Sequence, residues 1–357
     1  LINRFCGYRC ALHNHWELAT LLVTGGANTG AKNIQGFSAL HQAVCKGHLE
    51  ILKFLLIRKV NVNSRDLAGS NPLMLCAHYD QVEAAKLLLD NGATTSDLAN
   101  DGFGAIHLAT VKSNCKLLRV LLHGGSNPNL LSGKGFTPLM LAASSCSYEI
   151  VELLLNAGAN ASLRAPSGET ALFFTITKRK ESPKLGLVKL LLKHGADVNA
   201  TVPNGSTLLL VCFELRRFKT ARLLVAKGAN ILATDANNHT PLHAAVLMGP
   251  DGADLVRLLV KHGAKVGAKS QLITLGIPSQ KVLTEVKTIL RELDPTYDVT
   301  LNGAKAAWSP LHCALLPQND LVSSANVQHL VENGADVNEE IIRLVSPLVL
   351  CAAFDLG

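Results

Sequence analysis

The first chemistry that the sequence could support is zinc binding near its start. Thiol and imidazole groups, which serve as zinc ligands in proteins, occur together at Cys6, Cys10, His13 and His15. No second Cys/His pair follows at a finger-like spacing, and the nine cysteines of the chain form no CxxC pair. We therefore expect no metal site, and we interpret the cysteines as free thiols of a reducing compartment.

A second candidate is a phosphate-binding loop at Ser132-Gly133-Lys134. Such loops need a glycine five residues before the Gly-Lys pair and a hydroxyl residue after it. Pro128 stands where the first glycine belongs, and Gly135 replaces the residue that would bind magnesium. The match fails, and the sequence contains neither HExxH nor a dinucleotide-binding fingerprint. We expect no cofactor and no small-molecule substrate.

Acids, thiols and imidazoles also recur along the chain. Paired acids could transfer protons, and thiols could act as nucleophiles. Each set, however, falls on one position of a sequence repeat of 33 residues. The three sets are Glu17, Glu50, Glu83 and Glu149; Cys10, Cys76, Cys212 and Cys351; and His41, His107, His243 and His312. The repeat must be understood before any of them is given a catalytic role.

Leucine and glycine mark the repeat. A leucine recurs with a glycine four residues after it, and Lys59 replaces that glycine once. The leucines are Leu22, Leu55, Leu88, Leu121, Leu154, Leu191, Leu224, Leu259 and Leu330. A second glycine series follows the same spacing, at Gly36, Gly69, Gly102, Gly135, Gly168 and Gly205. Its next member is Asn238, for which we predict a positive φ, since Asn tolerates the left-handed region best after glycine.

One unit, residues 133–158, indicates how the repeat folds. Thr137 and Pro138 are typical of a helix start, because Thr caps free N–H groups and Pro suits the first turn. Glu149 begins a second helix, where a carboxylate favours the positive end of the helix dipole. Gly158 is typical of the end of that helix. The sequence therefore predicts two short helices and an extended turn in each unit.

This unit resembles the ankyrin repeat. The family tetrapeptide Thr-Pro-Leu-His is complete at 240–243, and related forms stand at 38–41, 71–73, 137–139 and 309–312. The segments 195–199 and 334–338 match the family's turn from the second helix into the hairpin. The resemblance covers about 5–268 and 305–353. It implies an all-α fold with short β-hairpin turns, an α-solenoid that is curved and has a concave groove.

The register of the repeat divides the chain into nine to ten repeats. We expect a partial or degenerate first repeat at 1–33, seven regular repeats at 34–268, one repeat at 305–341 and a truncated repeat at 342–357. For residues 269–304 we prefer a degenerate repeat, with a non-repeat insert as the alternative. Because the chain starts and stops within repeats, we expect a fragment of a longer protein.

The resemblance assigns structural roles to the recurring acids, thiols and imidazoles, since family members use the His of the tetrapeptide to bind backbone near the helix start. We therefore expect no enzyme but a monomeric scaffold or adaptor that binds a protein partner through the groove between hairpins and first helices. We expect it in the cytoplasm, with the nucleus as an alternative because Lys178-Arg179-Lys180 is a weak import pattern. A targeting arm of an enzyme encoded outside these residues is a further alternative.

The candidate partner-binding residues occupy positions that the repeat leaves variable. They are Phe37, Gln42, Lys46, His78, Tyr79, Phe103, Val111, Lys112, Phe136 and Ser144. The three phenylalanines directly follow turn glycines in a chain with only 4% aromatic residues. They either anchor a partner or pack between neighbouring hairpins.

Basic residues concentrate in one stretch of the chain. Residues 164–227 hold twelve Lys or Arg and four Asp or Glu, whereas the whole chain carries a net charge of +7. We expect a basic ridge formed by Lys178, Arg179, Lys180, Lys184, Arg216, Arg217 and Lys219. It would hold an acidic partner, an anionic membrane or nucleic acid, or serve only as a solvated face. The few aromatic residues among these charges argue against nucleic acid.

The resemblance also implies a modification. Ankyrin repeats are targets of asparaginyl hydroxylation where a leucine is followed, after five residues, by an acid, an apolar residue and Asn. Asn199 and Asn338 both stand in this context. We predict them as hydroxylation sites.

Overall fold

The structure is a computed structural model that describes residues 11, 14–177, 185–202, 205–235, 238–270, 308–315, 324–339, 347 and 351. In these residues the chain is mostly helical, and its β pairing consists of three isolated bridges. In chain order the helices are α1 (Trp16–Thr24), α2 (Ala39–Lys46), α3 (Leu49–Ile57), α4 (Pro72–Tyr79), α5 (Val82–Asp90), α6 (Ala105–Val111), α7 (Cys115–His123), α8 (Pro138–Ser145), α9 (Tyr148–Asn156), α10 (Ala171–Thr177), α11 (Leu185–Lys193), α12 (Leu208–Glu214), α13 (Phe218–Ala226), α14 (Pro241–Val246), α15 (Ala253–Lys261), α16 (Pro310–Ala314) and α17 (Ser324–Glu332). A short 3-10 helix at Gly249–Gly252 precedes α15.

Shorter first helices alternate with second helices of nine residues, as the repeat predicts. In the unit at 133–158, the Thr137 hydroxyl accepts the N–H of Met140 at 3.2 Å, and α8 begins with Pro138. The second helix α9 begins at Tyr148, one residue before the predicted start, and Gly158 follows it with φ at +87°. Asn238 has φ at +61°, which confirms its predicted glycine-like conformation.

Lys59 is the one residue other than glycine among the nine residues that stand four positions after the recurring leucines. The eight glycines at the equivalent positions have positive φ, and Lys59 adopts the same conformation with φ at +53°. Because a side chain with a Cβ pays a steric cost there that glycine avoids, we expect Lys59→Gly to raise the free energy of unfolding by about 0.5–1 kcal/mol. Urea denaturation measures this directly. Lys59→Ala retains the Cβ, so an equal gain in that variant would contradict the explanation.

Contacts divide the chain into two compact units, one of 1–175 with 189–196 and one of 176–188 with 197–357. Each unit is built in two layers. In the first unit, α2, α4, α6 and α8 contact one another in succession, and α1, α3, α5, α7 and α9 do the same. In the second unit the successive first helices are α12, α14 and α16, and the second helices are α13, α15 and α17. Stacked repeats thus bury the apolar stripe of each helix against its neighbours.

The turns before the first helices of the first unit include tight hairpins. In one of them, the Ser132 N–H donates to the Phe136 carbonyl at 2.9 Å, and the Gly135 N–H donates to the Ser132 carbonyl at 2.8 Å. Neighbouring hairpins of the first unit also join through their backbones: Gly133 N donates to Gly102 O at 2.8 Å. The predicted short β-hairpin turns are therefore present.

Among the described residues, none of the helices combines the length and the apolar character that a bilayer span requires.

Candidate functional site

Two of the phenylalanines after the turn glycines pack onto the helix that follows their own hairpin, and the third packs onto the first helix of the next repeat. Phe37 meets His41 edge-on with ring centroids 5.5 Å apart, and Phe103 meets His107 at 5.9 Å. All three phenylalanines are only partly exposed, and Phe136 meets Phe174 at 5.8 Å. This geometry favours packing within the fold over a role as partner anchors, which stays a prediction.

The same hairpin position carries two further aromatic rings that the sequence analysis did not include. His239 meets His243, and Trp308 meets His312, each with ring centroids 6.3 Å apart. Both rings could have been found from the sequence, because each stands four residues before a tetrapeptide histidine, as Phe37 and Phe103 do. The position therefore serves hairpin packing in both units.

Three of the tetrapeptide histidines, His107, His243 and His312, connect their first helix to a backbone carbonyl further along the chain. The His243 Nδ1 atom accepts the N–H of Thr240 at 3.3 Å, and its Nε2 atom lies 3.0 Å from the Trp308 carbonyl. A backbone N–H only donates and a carbonyl only accepts, so Nδ1 is unprotonated and Nε2 carries the proton. His107 repeats the pattern with Gly104 N at 3.1 Å and Leu130 O at 2.9 Å. The expected structural role of these histidines is confirmed.

Burial keeps these imidazoles neutral. It lowers the pKa of His243 from 6.5 to about 4, and it lowers the pKa values of His41, His107 and His312 as well. Desolvation penalises the charged imidazolium, which has no water around it in the core. These imidazoles are therefore poor proton-transfer catalysts near neutral pH, and their protonation at low pH is expected to destabilise the fold.

The recurring thiols and acids also take structural positions. Cys76 and Cys212 are fully buried, and burial raises the pKa values of both thiols, that of Cys212 to about 12. A thiol with so high a pKa is not a nucleophile at neutral pH. Glu50 and Glu149 lie in the first turns of α3 and α9, where they suit the helix dipole. Cys10 lies outside the described residues.

The remaining candidates lie at the opposite end of the first helices from the phenylalanines. First helices of seven or eight residues place these two ends about 10 Å apart. We call this surface the first-helix edge. It consists of Lys46, His78, Tyr79, Val111, Lys112 and Ser144, all of which are exposed. Gln42 does not join it, because only 7% of its surface is accessible to solvent.

Contacts between repeats position the side chains of the first-helix edge. The His78 and Tyr79 rings meet edge-on at 4.9 Å, and the Lys112 ammonium donates to the His78 carbonyl of the preceding repeat. Tyr79 also hydrogen-bonds the half-buried Cys45 thiol, while burial raises the pKa of that thiol to about 11. Tyr79 and Val111 nevertheless leave 44% and 56% of their surfaces exposed. The edge thus presents apolar surface that the fold itself holds in place.

One predicted ridge residue, Arg216, pairs with an acid, and so does Arg222, which is not one of the predicted ridge residues. Arg216 lies 3.7 Å from Asp251, and Arg222 pairs with Asp254. These acids belong to the following repeat, beyond the stretch in which the sequence analysis counted charge. Of the seven predicted ridge residues, Lys178, Arg179, Lys180 and Lys184 lie outside the described residues, whereas Arg216, Arg217 and Lys219 lie within them.

Asparagines after the second helices join adjacent repeats. The Asn129 Oδ1 atom accepts the N–H of Asn160 at 2.7 Å, and Asn199 binds the N–H of Asn230 at the same distance. Asn63 makes the equivalent bond to Thr94 at 2.8 Å. Asn199, a predicted hydroxylation site, therefore also holds two repeats together. Asn338 is exposed, and hydroxylation of both residues stays a prediction.

A metal site finds no support among the described residues, in which no cluster of three potential ligands occurs. Of the candidates near the start of the chain, His15 is exposed, and Cys6, Cys10 and His13 lie outside the described residues.

Comparison with known proteins agrees with the architecture. A family model described as ankyrin repeats in three copies matches residues 8–99, 57–131, 106–202 and 180–270. Among solved structures, the ankyrin repeat domain of Bcl-3, which its description calls a unique member of the IkappaB protein family, is similar with a TM-score of 0.54 and 29% sequence identity. That match covers 59% of this chain and 94% of the Bcl-3 chain. No curated protein sequence matches the chain.

Proposed function

Because this chain belongs to the ankyrin-repeat family, whose members are generally protein–protein interaction modules, we propose that it is a non-enzymatic scaffold that binds a protein partner. The first-helix edge of the unit formed mainly by 1–175 is the proposed contact surface. The observation that carries this proposal is the exposure of Tyr79 and Val111 on neighbouring first helices, beside Lys46 and Lys112.

Three physical features support this surface. An exposed tyrosine offers a partner a large apolar ring and a hydroxyl at a small cost in side-chain entropy. The contacts of Tyr79 with His78 and of Lys112 with the His78 carbonyl restrain the side chains before a partner arrives. Phe37, Phe103 and Phe136 offer less, because their rings already pack on the following helices.

A capture experiment with two matched tyrosines tests the proposal. We expect Tyr79→Ala to reduce capture of the principal partner from a cell lysate by tenfold or more, since an aromatic anchor contributes about 2 kcal/mol at protein interfaces. Tyr148→Ala is the control, because Tyr148 is exposed to 45%, nearly the same as Tyr79, but begins a second helix. Quantitative mass spectrometry of the captured proteins measures both. Equal retention of the partner by the two variants would refute the surface.

The basic ridge remains a weaker candidate for docking an acidic partner, an anionic membrane or nucleic acid. The ion pair of Arg216 with Asp251 places an acid of the next repeat beside its described part. A partner of negative charge would meet this acid as well as the arginine. The alternative of a targeting arm for an enzyme rests on no residue of the described structure.

A further inference from the structure

One hairpin of the second unit is closed by residues that lie far apart in the chain. Ser270 and Trp308 form an isolated antiparallel bridge. In the first unit, the tight hairpin described above has the equivalent pair Ser132 and Phe136, with only residues 133–135 between them. Between Ser270 and Trp308 stand 37 residues, 271–307, which lie outside the described residues.

The bonds of this closing pair differ from those of a tight hairpin. Ser270 N donates to Trp308 O at 2.9 Å, and Trp308 N donates back to Ser270 O at 2.9 Å. In the tight hairpin, the return bond instead goes to a side chain, from Phe136 N to the Ser132 hydroxyl at 3.0 Å. A residue pair that exchanges both backbone hydrogen bonds is a pair of an antiparallel ladder, so Ser270 and Trp308 close this hairpin through their backbones alone.

The repeats on either side of residues 271–307 contact each other directly. First helix α14 contacts α16, and second helix α15 contacts α17, as successive helices do elsewhere in this unit. The His243 Nε2–H donates to the Trp308 carbonyl at 3.0 Å, which is how His107 reaches the next hairpin. The Asn326 amide also donates to the Gly249 carbonyl at 3.0 Å. These contacts leave no position between the two repeats for another one.

We propose that Ser270 and Trp308 are the two sides of one hairpin, so that residues 271–307 are inserted within a single repeat. The repeat assigned to 305–341 then begins before the insertion, near residue 264, and resumes at Trp308. Of the two interpretations of 269–304, this supports the insert over the degenerate repeat. A hairpin tip tolerates such an insertion because neither helix layer passes through it.

Closing a long connection has an entropic cost. Loop-closure entropy predicts that a 37-residue connection closes roughly 40-fold less favourably than a three-residue one. Trp308 offsets part of this, because its side chain is only 3% exposed and packs edge-on against His312. The two backbone hydrogen bonds between Ser270 and Trp308 offset a further part of this entropic cost.

A loop replacement tests the proposal in the full chain. Residues 271–307 are replaced by Gly-Lys-Gly, the sequence of 133–135, so that Ser270 and Trp308 reproduce the Ser132 and Phe136 pair. A Trp16→Phe background leaves Trp308 as the single tryptophan. We expect its emission to stay at short wavelength and resistant to acrylamide, and the folding equilibrium constant to stay equal or rise by up to about 40-fold. A red-shifted, readily quenched emission, or a loss of cooperative unfolding, would overturn the proposal.

A second variant tests whether the fluorescence emission of Trp308 depends on its backbone pairing with Ser270. Ser270→Pro in the same Trp16→Phe background removes the N–H that donates to the Trp308 carbonyl. We expect it to shift the emission of Trp308 to the red. An unchanged emission would contradict the pairing from which the insertion is inferred.

Discussion

Acidification from pH 7 to pH 4 is expected to lower the free energy of unfolding by about 3 kcal/mol through His243 alone. Burial lowers the pKa of His243 from 6.5 to about 4. Between these values the unfolded chain binds a proton that the folded chain excludes, so protonation favours unfolding. The stability is complete above pH 6.5 and decreases as the pH falls towards 4.

The hydrogen bonds of His243 explain why the folded chain resists this proton. Its Nδ1 atom accepts the N–H of Thr240, and a proton on Nδ1 would remove that acceptor and leave the N–H unpaired. Asp235 favours the charged imidazole, but burial outweighs this effect. His41, His107 and His312 shift in the same direction and are expected to steepen the dependence on pH.

Urea denaturation between pH 7 and pH 4 measures this effect. The control is His243→Gln, which does not titrate and retains an amide that can bind backbone groups. We expect it to be less stable than the parent chain at pH 7 and to lose less stability on acidification. The same slope in both proteins would show that His243 does not carry the effect.

Gly102→Ala is expected to be among the most destabilising single substitutions outside the apolar core. Gly102 has φ at +80°, and a Cβ added to it would lie 2.6 Å from the Gly133 Cα atom and 2.7 Å from the Gly133 nitrogen. The left-handed conformation alone costs an alanine about 1–2 kcal/mol. The overlap with the neighbouring hairpin adds about 1–3 kcal/mol more, because backbone atoms must move to relieve it.

Gly125→Ala separates these two contributions. Gly125 has φ at +83°, and a Cβ added to it would meet nothing within 4 Å. We expect it to lose only the conformational part, so chemical denaturation should show Gly102→Ala to be the less stable variant by at least about 1 kcal/mol. Equal losses in the two variants would mean that the hairpins can separate at this point without cost.

Local features of the fold were predictable from the sequence. The helix pairs follow from apolar residues at helical spacing, caps such as Thr137 and terminal glycines such as Gly158, all of which act within a few residues. Asn238 could be assigned a positive φ because its register position was held by glycine in six other units. Repetition strengthens such local signals, since each unit tests the same assignment again.

Which candidate residues face solvent depended on the tertiary structure. Gln42 and Tyr79 both occupy variable positions of a first helix, yet Gln42 is 7% exposed and Tyr79 is 44% exposed. The difference arises from the side chains that neighbouring repeats place around them, and a single repeat does not contain that information. The pairing of Arg216 with Asp251 likewise joins two repeats.

The sequence by itself determined that the described part of this chain is built from two-helix units with hairpin turns between them, because that architecture is encoded by spacing within each unit. Only the tertiary structure showed that Ser270 pairs with Trp308 across 37 residues and that the first-helix edge is exposed. Long-range pairing depends on contacts that form after the chain has folded back on itself, and local periodicity carries no record of them.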